Sequence, residues 1–343
     1  LTIPSGATLY ADTARTWSSV ANSGTISHSQ NSTAATYRID ITTTGDFTNT
    51  GTIDTDGLGY LGYEGPGAGA DTGSYSSAGG HGGQGGDSYE LVVGSGGDVY
   101  GSVTAPTTIG SGSGINQNAT NTRQYLGGHG GGAIELTVGG DLIFNGTMTS
   151  DGSDGSNFQA GGGAGGSVFL TVTGQLSGTG TVTTDGGDGV STLGGGGGGG
   201  RIAISYATQT DTRTYQAYGG GVSSVDFTGG AGTIYINDTT AATTELIIDN
   251  NDSVVGVSDY YAAGMTPITP SGTPLTLNLT TLTIRNEGNL DLNSDTTINA
   301  TTLTWNDSGI VTDRGGTMSP ISGAGSLTIP SGATLYADTA RTW

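Results

Sequence analysis

Three stretches of this chain share one plan. Ala133-Ile134-Glu135-Leu136-Thr137-Val138, Ser167-Val168-Phe169-Leu170-Thr171-Val172 and Arg201-Ile202-Ala203-Ile204-Ser205-Tyr206 follow one another at intervals of 34 residues. Each emerges directly from a glycine-rich tract, at 127–132, 161–166 and 194–200. Other features keep the same step: Gly140 recurs as Gly174, Gly146 as Gly180, and Asp151-Gly152 as Asp185-Gly186. A flexible glycine linker holds no register with the strands and turns around it. A fixed period between 20 and 50 residues instead marks a solenoid, in which each coil buries its apolar face only by stacking on the next.

Composition narrows the class of solenoid. Of 343 residues 68 are glycine, without the three-residue period and high proline content of collagen. Thr, Ser, Asp, Val, Ile and Leu dominate the rest, the residues of short strands and tight turns, and no long apolar stripe has helical spacing. Without crossover helices, parallel strands pair from coil to coil about 4.8 Å apart. Ile134, Leu136 and Val138 are then expected to stack on Val168, Leu170 and Val172. The sequence therefore predicts an all-β, right-handed parallel β-helix, the hand that parallel crossovers adopt. Polyglycine can form an extended threefold helix, so the tracts are expected to stack as a polyglycine-II-like slab beside the sheets, which offsets glycine's entropy cost.

Residues 327–343 repeat residues 1–17, LTIPSGATLYADTARTW, without a difference. The step is 326 residues, so residues 1–326 read as one unit of a tandem array and 327–343 as the start of the next. Within the unit, residues 1–57 are rich in strands and residues 58–88 form a glycine-rich insertion. Residues 89–236 carry glycine-rich coils of about 34 residues, with 89–93 expected to align with 134–138. Residues 237–326 carry Thr- and Leu-rich coils, and Asp249–Pro274 reads as a protruding loop or a cap. At about 28 residues per coil, 326 residues give roughly twelve coils and a rise of about 55 Å. The lack of an initiator Met or signal peptide reads as an interior piece or a mature form.

GDFTNTGTIDTDG (45–57), LTIPSGATL and the segment from Gly161 to Gly189 resemble the repeats of large bacterial surface proteins. These are haemagglutinin-type adhesins and glycine-rich parallel β-helices. The likeness implies an extracellular, surface-attached or filamentous role and names no ligand.

The net charge of −21, with all eight positive charges on arginine, excludes a basic nucleic-acid face. No run of 18 apolar residues predicts membrane insertion, and no cysteine is present for a disulfide or thiolate metal site. The arginines are scattered, and His28, His81 and His129 have no Ser or Asp constellation. The sequence therefore predicts no catalytic site and no cofactor. Asp151 and Asp154 recur as Asp185 and Asp188, so stacking sets like charges in columns, and an oxygen-ligated Ca²⁺ would relieve their repulsion. The competing reading is solvent-facing Asx turns. Leu1, Ile3, Trp305, Leu327 and Ile329 are expected to form the unit-to-unit junction, through pairing of 303–305 with 327–329.

The leading expectation is a structural protein, the repeat unit of an extracellular filament or surface fibre, whose partners are further copies of itself. The alternative is an adhesin stalk or glycan-binding module, with loops near 58–80 and 249–274 holding surface glycans and Tyr60 and Tyr63 offering a stacking surface.

Overall fold

A computed structural model of the chain describes residues 1–70, 75–89, 95–115, 127–156, 159–191, 193–221, 227–253, 264–305, 308–319 and 333–337. The described residues are all-β, with strands in three stacked sheets and no α-helix.

Three lanes of short strands run through the first half. The first lane holds β3 (Arg15–Trp17), β6 (Ile39–Thr43), β9 (Ala133–Val138), the start of β12 (Ser167–Ser177), the start of β14 (Arg201–Gln209) and β16 (Thr233–Asp238). The second holds β1 (Thr2–Ile3), β4 (Val20–Asn22), β7 (Phe47–Asn49), β10 (Leu142–Phe144) and the ends of β12 and β14. The third holds β2 (Thr8–Tyr10), β5 (Thr25–Ser27), β8 (Thr52–Asp54), β11 (Thr147–Thr149), β13 (Thr181–Thr183) and β15 (Thr214–Gln216). All these pairings are parallel.

The register is the one the 34-residue period dictates. Ile134 pairs with Val168, Leu136 with Leu170 and Val138 with Val172. The column Ile39, Ile134, Val168, Ile202, Ile234 is buried throughout. β-Branched and aliphatic side chains fill it because alternate residues of a strand point to the same face. Ile53 pairs with Met148 across a step of 95, so the template in 45–57 belongs to the same stack. Residues 55–132 are consequently an excursion out of one coil. β9 pairs directly with β6, and residues 90–94, on which the expected alignment of 89–93 with 134–138 falls, lie outside the described residues.

The glycine-rich segments lie beside the lanes and are buried. Their backbone partners change with a period of three. Gly128 and Gly131 donate to Gly161 and Ala164, Gly162 and Gly165 to Gly195 and Gly198, and Gly196 and Gly199 to Phe227 and Gly230. Gly163 and Gly166 turn instead to Ser153 and Ser150, and Gly79 from the excursion donates to Gly162. The segments are so close that a Cβ built on Gly197 would lie 2.0 Å from the Gly163 carbonyl oxygen.

One feature departs from a uniformly parallel stack. β16 and β17 (Thr243–Asp249) pair antiparallel, joined by a polar turn in which Asp238 accepts from the amides of Thr240 and Ala241. Beyond it the strands are again parallel to one another. β17, the second half of β19 (Leu275–Arg285) and that of β21 (Thr296–Trp305) form one lane, and the first halves of β19 and β21 with β23 (Thr317–Ser319) form another. β18 (Thr266–Pro267), β20 (Asn289–Asn293), β22 (Ile310–Arg314) and β24 (Thr334–Ala337) form the third. From β19 to β21 and from β20 to β22 the step is 21 residues. Met265, Thr266, Ile268 and Thr269 are buried, so this part of 249–274 packs in and does not protrude; 254–263 lie outside the described residues.

The reversal divides the core. Ile234, Ile236 and Ile247 belong to a cluster that runs back to Ile3, whereas Tyr235, Leu246 and Ile248 belong to a second that runs on to Met318. Ile234 pairs with Ile247, and Tyr235 with Leu246. The hairpin therefore offers one face to each cluster, and the core crosses from one side of the sheet to the other. From β2 to its repeated counterpart β24 the described pairings count ten strand-to-strand steps. Those steps span about 48 Å along the stack, less than the 55 Å expected for 326 residues because the 55–132 excursion adds no coil.

The close glycine contacts generate a test. Gly197→Ala should lower stability by about 2–4 kcal/mol, because the neighbours that block a Cβ are themselves backbone. Gly221→Ala, whose nearest contact would be 3.5 Å away, should stay within about 1 kcal/mol in chemical denaturation.

Candidate functional site

The strongest site-like feature is a seam of aspartates at the corners where the third lane meets the glycine segments. A strand that ends at a corner leaves amide groups without ladder partners, and a carboxylate one coil away can accept from them. Asp56 Oδ1 accepts from the Asp151 amide, Asp151 Oδ1 from Asp185 and Asp185 Oδ1 from Tyr218, each at 2.7 Å. A parallel column does the same: Asp154 Oδ1 accepts from the Asp188 amide and Asp188 Oδ1 from Gly221, also at 2.7 Å. A third column, Asp46 to Asp141 to Gln175, sits at the opposite corner of the coil. It is missing from the sequence reading, although Asp46 and Asp141 keep the step of 95 that Gly45 and Gly140 show.

Asp151, Asp154, Asp185 and Asp188 are thus brought together. With Tyr218, Asn251 and Ser253 they line an open groove of about 460 Å³. Their first task is structural, since one oxygen of each is held by a backbone amide and Asp151 Oδ2 also accepts from Thr183 Oγ1 at 2.8 Å. Among the described residues no group of three or more His, Asp or Glu side chains is placed to hold a metal ion.

The column carries an electrostatic cost. Burial, then the charges of Asp185 and Asp56, pushes Asp151 up to about 7, and burial pushes Asp185 up to about 6. Burial also raises Asp56. The amide donors oppose these shifts and are outweighed.

A second polar cluster is invisible to motif reading. Arg201 is fully buried, donating from Nε to the Tyr100 carbonyl at 2.9 Å and from Nη1 to Thr233 Oγ1 at 3.2 Å. Burial lowers its pKa only to about 10, so it stays charged at neutral pH. His81 packs against Tyr100, ring centroids 4.7 Å apart and planes tilted by 46°, and its Nδ1 bonds the Gly165 carbonyl at 2.8 Å. Burial and then the Arg201 charge hold His81 down at about 3, hence neutral. The cluster fastens the 55–132 excursion to the strands. On its other side His81 Nε2 lies 2.8 Å from Thr108 Oγ1.

Of the expected junction residues, Ile3 lies in the first core cluster and Leu1 is 42% exposed. Trp305 lies in the second cluster, its Nε1 donating to the Gly309 carbonyl at 2.8 Å. Leu327 and Ile329 lie outside the described residues. Tyr63 is held at φ +63° and lines an apolar cavity of about 230 Å³ with Leu61, Ile115 and His129.

Comparison with family models, with curated proteins and with solved structures finds no match.

The seam predicts an unusual pH profile. The folded pKa values of Asp151 and Asp185 lie above the ordinary 3.8. Their contribution to stability is therefore complete below about pH 4 and is lost as the pH rises through 6 to 7. Tm should fall by a few degrees between pH 5 and pH 8. Asp151→Asn, which keeps the acceptor for Asp185 and removes one charge, should flatten that fall. An identical slope in the variant would refute the raised pKa of Asp151.

Proposed function

We propose that this chain is a structural unit of an extracellular filament or surface fibre, not an enzyme, and that its partners are further copies of the same unit. The observation that carries the reading is the uninterrupted pairing from β1 to β23 through one 14-stranded sheet, combined with the 17 residues that recur after 326. A stack of this kind carries tension through backbone hydrogen bonds. Those bonds run along the stack, three lanes share the load, and the sequence has no cysteine or lysine to cross-link in their place.

In this reading the coils are right-handed. The glycine segments, with partners that repeat every third residue, form a polyglycine-II-like slab that thickens the fibre beside the sheets. The sequence resemblance to bacterial surface repeats and the acidic charge of −21 fit a display outside the cell.

Electron-microscopic averaging of a chain of several units should show a continuous rod that advances about 48 Å per unit. Globules strung on linkers would refute the reading. The same proposal assigns Ca²⁺ the task of screening the aspartate groove at neutral pH. Exhaustive chelation at pH 8, where both carboxyls are largely ionised, should lower Tm and added Ca²⁺ restore it, while an unchanged Tm would refute the Ca²⁺ site.

A further inference from the structure

The described strands leave three edges open at one end of the stack. β1 is paired only with β4, β2 only with β5 and β3 only with β6. Tyr10 on the β2 edge is 65% exposed. An open parallel edge is a row of unpaired amides and carbonyls, which natural sheets cover or pair.

What covers this edge is visible at the other end of the molecule. Thr334-Leu335-Tyr336-Ala337 repeats Thr8-Leu9-Tyr10-Ala11, so β24 is a second copy of β2. β24 lies parallel on β22, with Ile310 opposite Thr334, Val311 opposite Leu335 and Thr312 opposite Tyr336. The Thr334 amide donates to the Gly309 carbonyl at 3.1 Å. Thr25 makes the same corner bond to Ala7 at 2.9 Å, Thr52 to Gly24 at 2.9 Å and Thr147 to Gly51 at 3.1 Å. The third lane of the second half therefore continues, by the same geometry, into the third lane of a first half.

The side chains agree. Ala7 and Leu9 pack at the margin of the first core cluster, and their counterparts Ala333 and Leu335 pack at the margin of the second. One pair of side chains thus fits two cores, one on each side of its strand.

We propose that the open edge formed by β1, β2 and β3 is the seat of a preceding copy of this same unit, whose β22 pairs with β2. Ile310 of that copy lies opposite Thr8, Val311 opposite Leu9 and Thr312 opposite Tyr10. The inference rests on the tandem-fibre reading and adds its interface and register. Among the described residues, the coil that holds β1 and β2 has no strand in the first lane, beside Arg15–Trp17. In the chain order of a tandem array, Thr317–Ser319 of the preceding copy comes immediately before that coil and fills the vacancy. The junction coil is composite, one strand from one unit and two from the next, so neighbouring units interlock and do not merely abut.

The protein has no cysteine, which makes the register directly testable. Thr312→Cys with Tyr336→Cys, and as a second pair Ile310→Cys with Thr334→Cys, place thiols on directly opposed residues about 4.8 Å apart. Thr312→Cys with Thr334→Cys is slipped by two residues, which puts its Cα atoms beyond the roughly 7 Å a disulfide can span. On mild oxidation both in-register pairs should close at least about tenfold faster than the slipped pair. Faster closure of the slipped pair, or no closure of either in-register pair, would overturn the register. The same pairs in a chain extended through a second full unit separate this inference from the one beneath it. Continuous rods without in-register closure would overturn the junction and leave the fibre standing. In-register closure in separated beads would overturn the fibre, and the composite coil with it.

Discussion

Each coil of this protein obtains its backbone hydrogen bonds from the coils above and below it. Strands of three to six residues, such as Phe47–Asn49 or Thr181–Thr183, have no stability of their own. They persist because the neighbour presents a matching strand in the same lane, one strand spacing away. The aspartate seam, the corner glycines and the aliphatic columns all serve that requirement. Each either satisfies an amide where the ladder stops or fills the space that the lanes enclose.

The glycine segments extend the same dependence to a region without side chains. Glycine loses more backbone freedom on folding than any other residue. Hydrogen bonds to three different directions, shared among segments as distant in sequence as Gly79 and Gly162, offset that loss. Close approach of backbone to backbone makes the region intolerant of Cβ atoms, so the composition is a steric requirement. The buried Arg201, reaching the Tyr100 carbonyl and Thr233, adds a side-chain fastening where the excursion meets the strands.

Much of the stack was legible because its period is. Residues 34 apart that look alike do pair, from Ala133 with Ser167 to Val172 with Tyr206. Asp151, Asp154, Asp185 and Asp188 do share a groove, although amides occupy them first. The reversal after Asp238 was hidden, because an alternating strand reads the same whichever way it runs and whichever face is buried. The place of 55–132 was hidden because a glycine segment carries no pattern to say which coil it leaves. Arg201 had a signal that could have been used. It is the large charged member of a column otherwise made of Ala133, Ser167 and Thr233, so burial demanded backbone partners.

The hairpin of β16 and β17 has a consequence for shape. It reverses strand direction and moves the core to the opposite face of the sheet, while the stack goes on advancing the same way. Reversal alone would invert the hand of the coil, and a change of face alone would invert it too. Done together they restore it, and the combined operation is a half-turn about the direction of stacking. In the tandem array proposed above, that half-turn would set each unit facing away from the one before, to within the twist that the stacked strands add.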